Sequence, residues 1–174
     1  MVDIVDSATR SRMMSNIKGR NTKPELLIRS LLHAQGFRFR IHRQDLPGKP
    51  DIVLPKYKAI IFIHGCFWHG HQNCRLFKLP ASRTEFWEAK IYKNQENDWK
   101  AKDLLLNSGW RICIIWECAV RRSKKDPVAL MDILIEWLLG SEALLEIDEP
   151  MINKKREITL PSSHETGLST TDSN

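Results

Sequence analysis

The chain has 174 residues, 42% of them hydrophobic, with 27 Lys and Arg against 21 Asp and Glu for a net charge of +6. That is enough for one domain with a real core and too little for two, and no apolar run approaches the roughly 20 residues that a bilayer crossing needs, which excludes a membrane-spanning protein. The charge is unevenly spread, because residues 1–44 hold nine Lys/Arg against Asp3, Asp6 and Glu25, whereas beyond them eighteen basic residues face eighteen acidic ones. The N-terminal part therefore carries the electrostatic footprint expected to meet a polyanion, set against the plainer reading of a solvated basic face. Four cysteines without a secretory leader point to a reducing, cytoplasmic setting.

Residues 1–21 show no sustained apolar period and carry Arg10, Arg12, Lys18 and Arg20, which suits a basic arm ordered by its substrate. A domain is expected over residues 22–149. Thr22, Pro24 and Glu25 supply a cap, an early helical proline and a capping-box carboxylate; Leu27, Ile28, Leu31 and Leu32 form an apolar stripe, and Gly36 ends the helix. Residues 37–42 alternate Phe, Arg, Phe, Arg, Ile, His, the period of a strand buried on one face. After a turn at 46–50, strands are expected at 51–54 and 59–64. The spacing predicts a long helix from Thr84 to about Asn107, with Phe86, Trp87, Ile91, Trp99 and Leu104 to Leu106 as its apolar residues, then a strand at 111–116 and an amphipathic helix at 126–139. Residues 150–174 lack aromatics and are rich in Ser, Thr and charge, so they read as a disordered tail.

Residues 62–74 pack three histidines, two cysteines and adjacent aromatics into one loop after an apolar strand. Cys66, His71 and Cys74 have the donor atoms and spacing of a structural zinc site. Its fourth ligand is Cys113 or Cys118; Cys113 sits in the apolar centre of a strand and Cys118 at its exit, so Cys118 is the choice. His69 is then free for proton chemistry, with Asp98 on the long helix able to orient it or simply to face solvent. Asp51 opens a strand whose hairpin partner ends at His64. A carboxylate there, with the backbone carbonyl of Ile63, can hold Mg²⁺ for phosphodiester hydrolysis, although an aspartate after Gly-Lys-Pro is also an ordinary turn residue. Glu25 is accounted for by its capping box alone. Phe67 and Trp68, with Trp87 as a third ring, suit either packing of the zinc loop or wedging into a base stack, which costs least at a mismatch.

The motifs Asp6-Ser-Ala-Thr-Arg-Ser11, Leu46-Pro-Gly-Lys-Pro-Asp51, Phe62-Ile-His-Gly-Cys-Phe-Trp-His69, Thr84-Glu-Phe-Trp87, Lys93-Asn94 with Asp98, and Gly109-Trp-Arg111 through Trp116-Glu-Cys118 fall in order over residues 6–140. On them the chain resembles the very-short-patch repair endonucleases, which nick mismatched DNA on a variant restriction-endonuclease fold. The resemblance implies an α/β fold, a central mixed sheet flanked by helices, with a structural zinc site. It implies Asp51 and the Ile63 carbonyl as Mg²⁺ ligands, His69 as general base, His64 and Glu25 in support, and Zn²⁺ on Cys66, His71, Cys74 and Cys118. Phe67, Trp68 and Trp87 would enter the stack while the N-terminal arm clamps the duplex.

The implied reaction is hydrolysis of one strand on the 5′ side of the thymine of a T:G mismatch left by 5-methylcytosine deamination. A monomer acting at the nucleoid is expected, with mismatch-repair scaffold proteins and a cytosine-5 methyltransferase as associated partners. The chain departs from the family at Ile63, where a Thr is common, and in a longer loop before Cys74 in which Gly70, Gln72 and Asn73 replace histidine-rich sequence. Two further readings stand beside this one: a restriction-type or defence nuclease cutting both strands, and a catalytically silent zinc DNA-binding module.

Overall fold

In the computed structural model, residues 6, 9 and 19–159 are described. Helix α1 (Lys23–Ala34) begins with a complete capping box: the Thr22 hydroxyl accepts from the Glu25 N–H, and the Glu25 carboxylate accepts from the Thr22 N–H. Ile28 and Leu32 are buried on its inner face, and Gly36, at φ +81°, turns the chain out of the helix.

The expected strand at 37–42 is not formed. Arg40 makes a single bridge to Val53, with 2.8 Å backbone hydrogen bonds in both directions, and His42 then adopts φ +57°, a left-handed conformation that ends extended pairing. The alternation governs burial only over the first four residues: Phe37 is buried and Phe39 half-buried while Arg38 and Arg40 are exposed, but Ile41, expected on the inner face, is exposed as the chain leaves the sheet.

Strands β1 (Ile52–Leu54) and β2 (Ala59–His64) form an antiparallel hairpin, and β2 runs parallel to β3 (Arg111–Trp116), which in turn runs parallel to β4 (Leu144–Ile147). The result is a four-stranded mixed sheet in the order β1-β2-β3-β4. β2 and β3 read as unbroken apolar runs because both faces of the sheet are covered. On one face Ile52, Leu54, Ile61, Cys113, Ile115 and Ile147 pack with α1, α3 (Glu117–Arg122), α4 (Val128–Leu139) and α5 (Glu149–Thr159). On the other, Val53, Ile60, Phe62, Ile112, Ile114 and Trp116 meet Leu105 of the long helix α2 (Thr84–Asn107) together with Cys66 and Cys118.

Helix α2 has the expected span but not the expected stripe: it buries Ile91, Ala101 and Leu105, and leaves Phe86, Trp99 and Leu104 exposed. Its task is to pack one narrow edge against the sheet and the loop after β2. The disordered tail expected from residue 150 is also corrected, because α5 runs from Glu149 to Thr159 and Ile152 is wholly buried. A surface helix needs only one or two apolar anchors, so a charged composition concealed it. Edge strand β4 and the six-residue α3 were likewise unanticipated. Residues 160–174 and the arm residues Arg10, Arg12 and Lys18 lie outside the described residues. Among the described residues, no helix is long and apolar enough to cross a membrane.

Candidate functional site

The register of the β1–β2 hairpin pairs Ile52 with Ile61, which places Asp51 just beyond the last paired residue and beside the free edge of β2. There Asp51 Oδ2 accepts a 2.7 Å hydrogen bond from the Ile63 N–H. In an antiparallel pair the N–H and C=O of one residue point to the same side, so the Ile63 carbonyl faces that edge as well. Burial raises the Asp51 carboxyl to about 6 against the opposing pull of the Ile63 N–H, with nearby Glu25 raising it further. A half-buried carboxylate next to a backbone carbonyl is an all-oxygen donor set, and that chemistry fits a hard divalent cation.

His64 closes β2 and is buried, and its ring lies on that of His69 at a centroid separation of 3.8 Å and an interplanar angle of 7°. Desolvation, with a contribution from neighbouring His69, lowers His64 to about 3, so it is neutral near pH 7. His69 Nδ1 lies 2.6 Å from Asp98 Oδ2. An ionised carboxylate only accepts, so Nδ1 is the donor, and in the neutral ring the lone pair then lies on Nε2, where it can take up a proton. His64, His69 and Asp98 lie within 4.8 Å of one another through their donor atoms. Parallel rings aim their lone pairs along parallel planes and not at one point, which suits hydrogen bonding better than chelation.

The loop carrying His69 is fastened to α2. Asn94 donates to the Trp68 carbonyl at 2.8 Å, and Gln95 donates to the carbonyls of His69 and Gly70 at 3.3 Å each. Gly70 has φ +63°, and a Cβ on it would stand 2.4 Å from Gln95 Nε2 and 2.8 Å from Ile91 Cγ2, so only glycine lets the loop lie this close. The sequence reading assigned no positioning role to Asn94 or Gln95; their signal, two adjacent amides half a helix from the loop they hold, is not local in sequence.

Cys66, His71, Cys74 and Cys118 bring their donor atoms within 4.8 Å of one another. His71 Nδ1 lies 3.4 Å from Cys66 Sγ and 3.6 Å from Cys118 Sγ, and the ring is held flat against Trp116 at 4.0 Å. Hydrogen bonding with Cys66 lowers the Cys118 thiol to about 6, while the same contact raises Cys66. Three reduced sulfurs and an imidazole crowded together favour a soft or borderline cation that neutralises the thiolates. Cys113, by contrast, points into the opposite face of the sheet, fully buried, and burial raises its thiol.

Phe67, Trp68 and Trp87 meet edge to face, with centroid separations of 5.2, 5.4 and 6.0 Å, and all three stay half-exposed. Glu25 is fully engaged: Oε1 accepts from the Thr22 hydroxyl at 2.8 Å, and Oε2 from the Asn21 N–H and Arg29 Nη2, each at 2.9 Å. Arg29 was missed in the sequence, although its spacing of four from Glu25 was a usable signal. A cleft of about 620 Å³ gathers Arg20, Glu25, Arg29, Arg43, Lys49, Asp51, Ile63, His64, Trp68, His69 and Asp98 on one surface.

The family model described as DNA mismatch endonuclease Vsr matches residues 2–75. The chain is 49% identical to the DNA mismatch endonuclease Vsr of Escherichia coli (strain K12) over 149 residues, covering 85% of this chain and 95% of that protein. It is 46% identical to the type II nicking enzyme V.XorIIP of Xanthomonas oryzae pv. oryzae over 68% of this chain and 86% of the relative. The type II nicking enzyme V.NmeAIP of Neisseria meningitidis is also 46% identical, over 70% of this chain and 86% of its own length.

Proposed function

The chain belongs to the Vsr family of DNA mismatch endonucleases, and from that premise we propose that it nicks one strand of duplex DNA on the 5′ side of the thymine in a T:G mismatch, the product of 5-methylcytosine deamination. The observation that carries this reading is the convergence in one cleft of the Asp51–Ile63 edge with the His69–Asp98 pair. Asp98 fixes the tautomer of His69, so that Nε2 takes a proton from the water attacking phosphorus. His64, neutral and stacked on His69, keeps the ring in its plane and adds no competing charge. Glu25 supports the site by accepting hydrogen bonds from Arg29 and from the start of α1.

Mg²⁺ held by the Asp51 carboxylate and the Ile63 carbonyl would stabilise the charge that builds on the phosphate and the leaving oxygen. Cys66, His71, Cys74 and Cys118 would hold a structural Zn²⁺, whose bonds to them would fix the loop that presents Phe67, Trp68 and His69. Those rings, with Trp87, wedge into the stack beside the mispaired bases, where unstacking costs least. Arg10, Arg12, Lys18 and Arg20 clamp the phosphate backbone. In this reading the mixed sheet and its flanking helices are a variant of the restriction-endonuclease fold, and the protein works as a cytoplasmic monomer together with mismatch-repair scaffold proteins and a cytosine-5 methyltransferase.

The experiment is a nicking assay on T:G, U:G and fully paired duplexes with and without Mg²⁺. Mg²⁺-dependent single-strand cleavage confined to mismatched duplexes is the expected result. Cleavage of both strands of paired DNA would establish a restriction-type enzyme instead, and binding without cleavage a silent DNA-binding module.

A further inference from the structure

Arg29 is 8% exposed, too deep for a surface cation. Its guanidinium joins three points: Nη1 donates to Asn21 Oδ1 at 2.7 Å, and Nη2 donates to Glu25 Oε2 at 2.9 Å and to the Asp51 backbone carbonyl at 3.1 Å. The last contact answers a specific need. Among the described residues, strand β1 is flanked on its outer side only by the Arg40–Val53 bridge; continuing that ladder would set His42 opposite Asp51, but His42, at φ +57°, turns away. The Asp51 carbonyl therefore lies beyond the ladder, and Arg29 supplies the donor. Asp51 is held at both ends, its carboxylate by the Ile63 N–H and its main chain by Arg29.

We propose that Arg29 is a positioning residue for the metal-binding carboxylate, its planar fork tying the main chain at Asp51 to Glu25 and Asn21 at the capped start of α1. The geometry explains why a guanidinium is required. A lysine keeps the charge opposite Glu25 but cannot span acceptors on three sides with fixed N–H directions, so Asp51 regains freedom and the cation binds a less ordered site. This inference rests on the reading of Asp51 as a metal ligand, and the test separates the two.

The test measures Mn²⁺ binding, by electron paramagnetic resonance, to the zinc-loaded protein on a T:G duplex already nicked, so that no turnover is involved. The wild type should bind a Mn²⁺ that Asp51→Asn abolishes; if Asp51→Asn binds as well as wild type, the reading of Asp51 itself fails. Arg29→Lys should keep its duplex affinity and zinc content and bind Mn²⁺ roughly tenfold more weakly, in the range expected for loss of a group that orients a ligand. Wild-type Mn²⁺ affinity in Arg29→Lys would overturn the proposal and leave Arg29 as a charge partner for Glu25 alone. Should Arg29→Lys fail to fold, Asn21→Gly takes its place, because it preserves the ion pair and the positive φ of +54° and frees one arm of the fork. A Mn²⁺ affinity several-fold below wild type, at an unchanged melting temperature, is then expected, and an unchanged affinity refutes the role.

Discussion

Asp98→Asn is the sharpest probe of the proton chemistry. The carboxylate bonds His69 Nδ1 at 2.6 Å, with the two side chains 32% and 26% exposed, so solvent partly screens the pair. A hydrogen bond to a charged group contributes roughly 1.5–3 kcal/mol, and screening places this one toward the lower end. At about 1.36 kcal/mol per decade of rate, the loss is roughly ten- to a hundredfold, because asparagine can donate to Nδ1 and leave the proton on Nε2, where a base is needed. His69→Ala removes the base and should cost roughly 10² to 10⁴. Since Asp98 acts only through His69, the double variant should be no slower than His69→Ala. The assay is single-turnover nicking of a T:G duplex at saturating Mg²⁺, with duplex affinity measured in parallel. A wild-type rate in Asp98→Asn, or losses that multiply in the double variant, would refute the dyad.

Other expectations follow from the same geometry. Cys118→Ser should lose zinc and thermal stability while Cys113→Ser retains its metal, as checked by metal analysis of the two purified variants. Trp68→Ala should narrow the preference for T:G over C:G duplexes in competition binding; an unchanged preference with reduced melting temperature would make the aromatic cluster simple loop packing. His64 is lowered to about 3 from its usual value of 6.5, so the stability it confers is present above pH 6.5 and lost as the pH falls toward 3. His64→Gln should flatten the fall in unfolding free energy over that window in denaturant titrations. Ile152→Ala, at a fully buried position of α5, should cost roughly 2–5 kcal/mol in unfolding free energy, whereas a disordered tail would show no change.

Much of the site was legible in the chain because its groups are local. Cys66, His69, His71 and Cys74 fall within nine residues, and a metal-ligand spacing or a capping box such as Thr22–Glu25 is recognisable without a fold. Strands β2 and β3 and the span of α2 were legible for a similar reason: burial on both faces leaves an unbroken apolar run, and a long helix is bounded by its turn residues. That Cys113 lies in the middle of β3 and Cys118 beyond its end was visible in the sequence. Where the deciding contact is distant or the segment polar, composition failed. Alternation foretold the burial of Phe37 and Phe39 but not that Ile41 would be exposed and His42 would turn away from the sheet, and the charge of 149–159 hid a helix anchored by Ile152. The amides of Asn94 and Gln95 hold a loop some 25 residues away, and Arg29 reaches the carbonyl of Asp51, 22 residues on. The sequence by itself determined the donor chemistry, because residue type decides which cation or proton a group can hold. Only the tertiary structure decided which donors converge and which polar groups brace them, because hydrogen-bond partners are chosen by proximity in space, and backbone carbonyls leave no mark on the pattern of side chains.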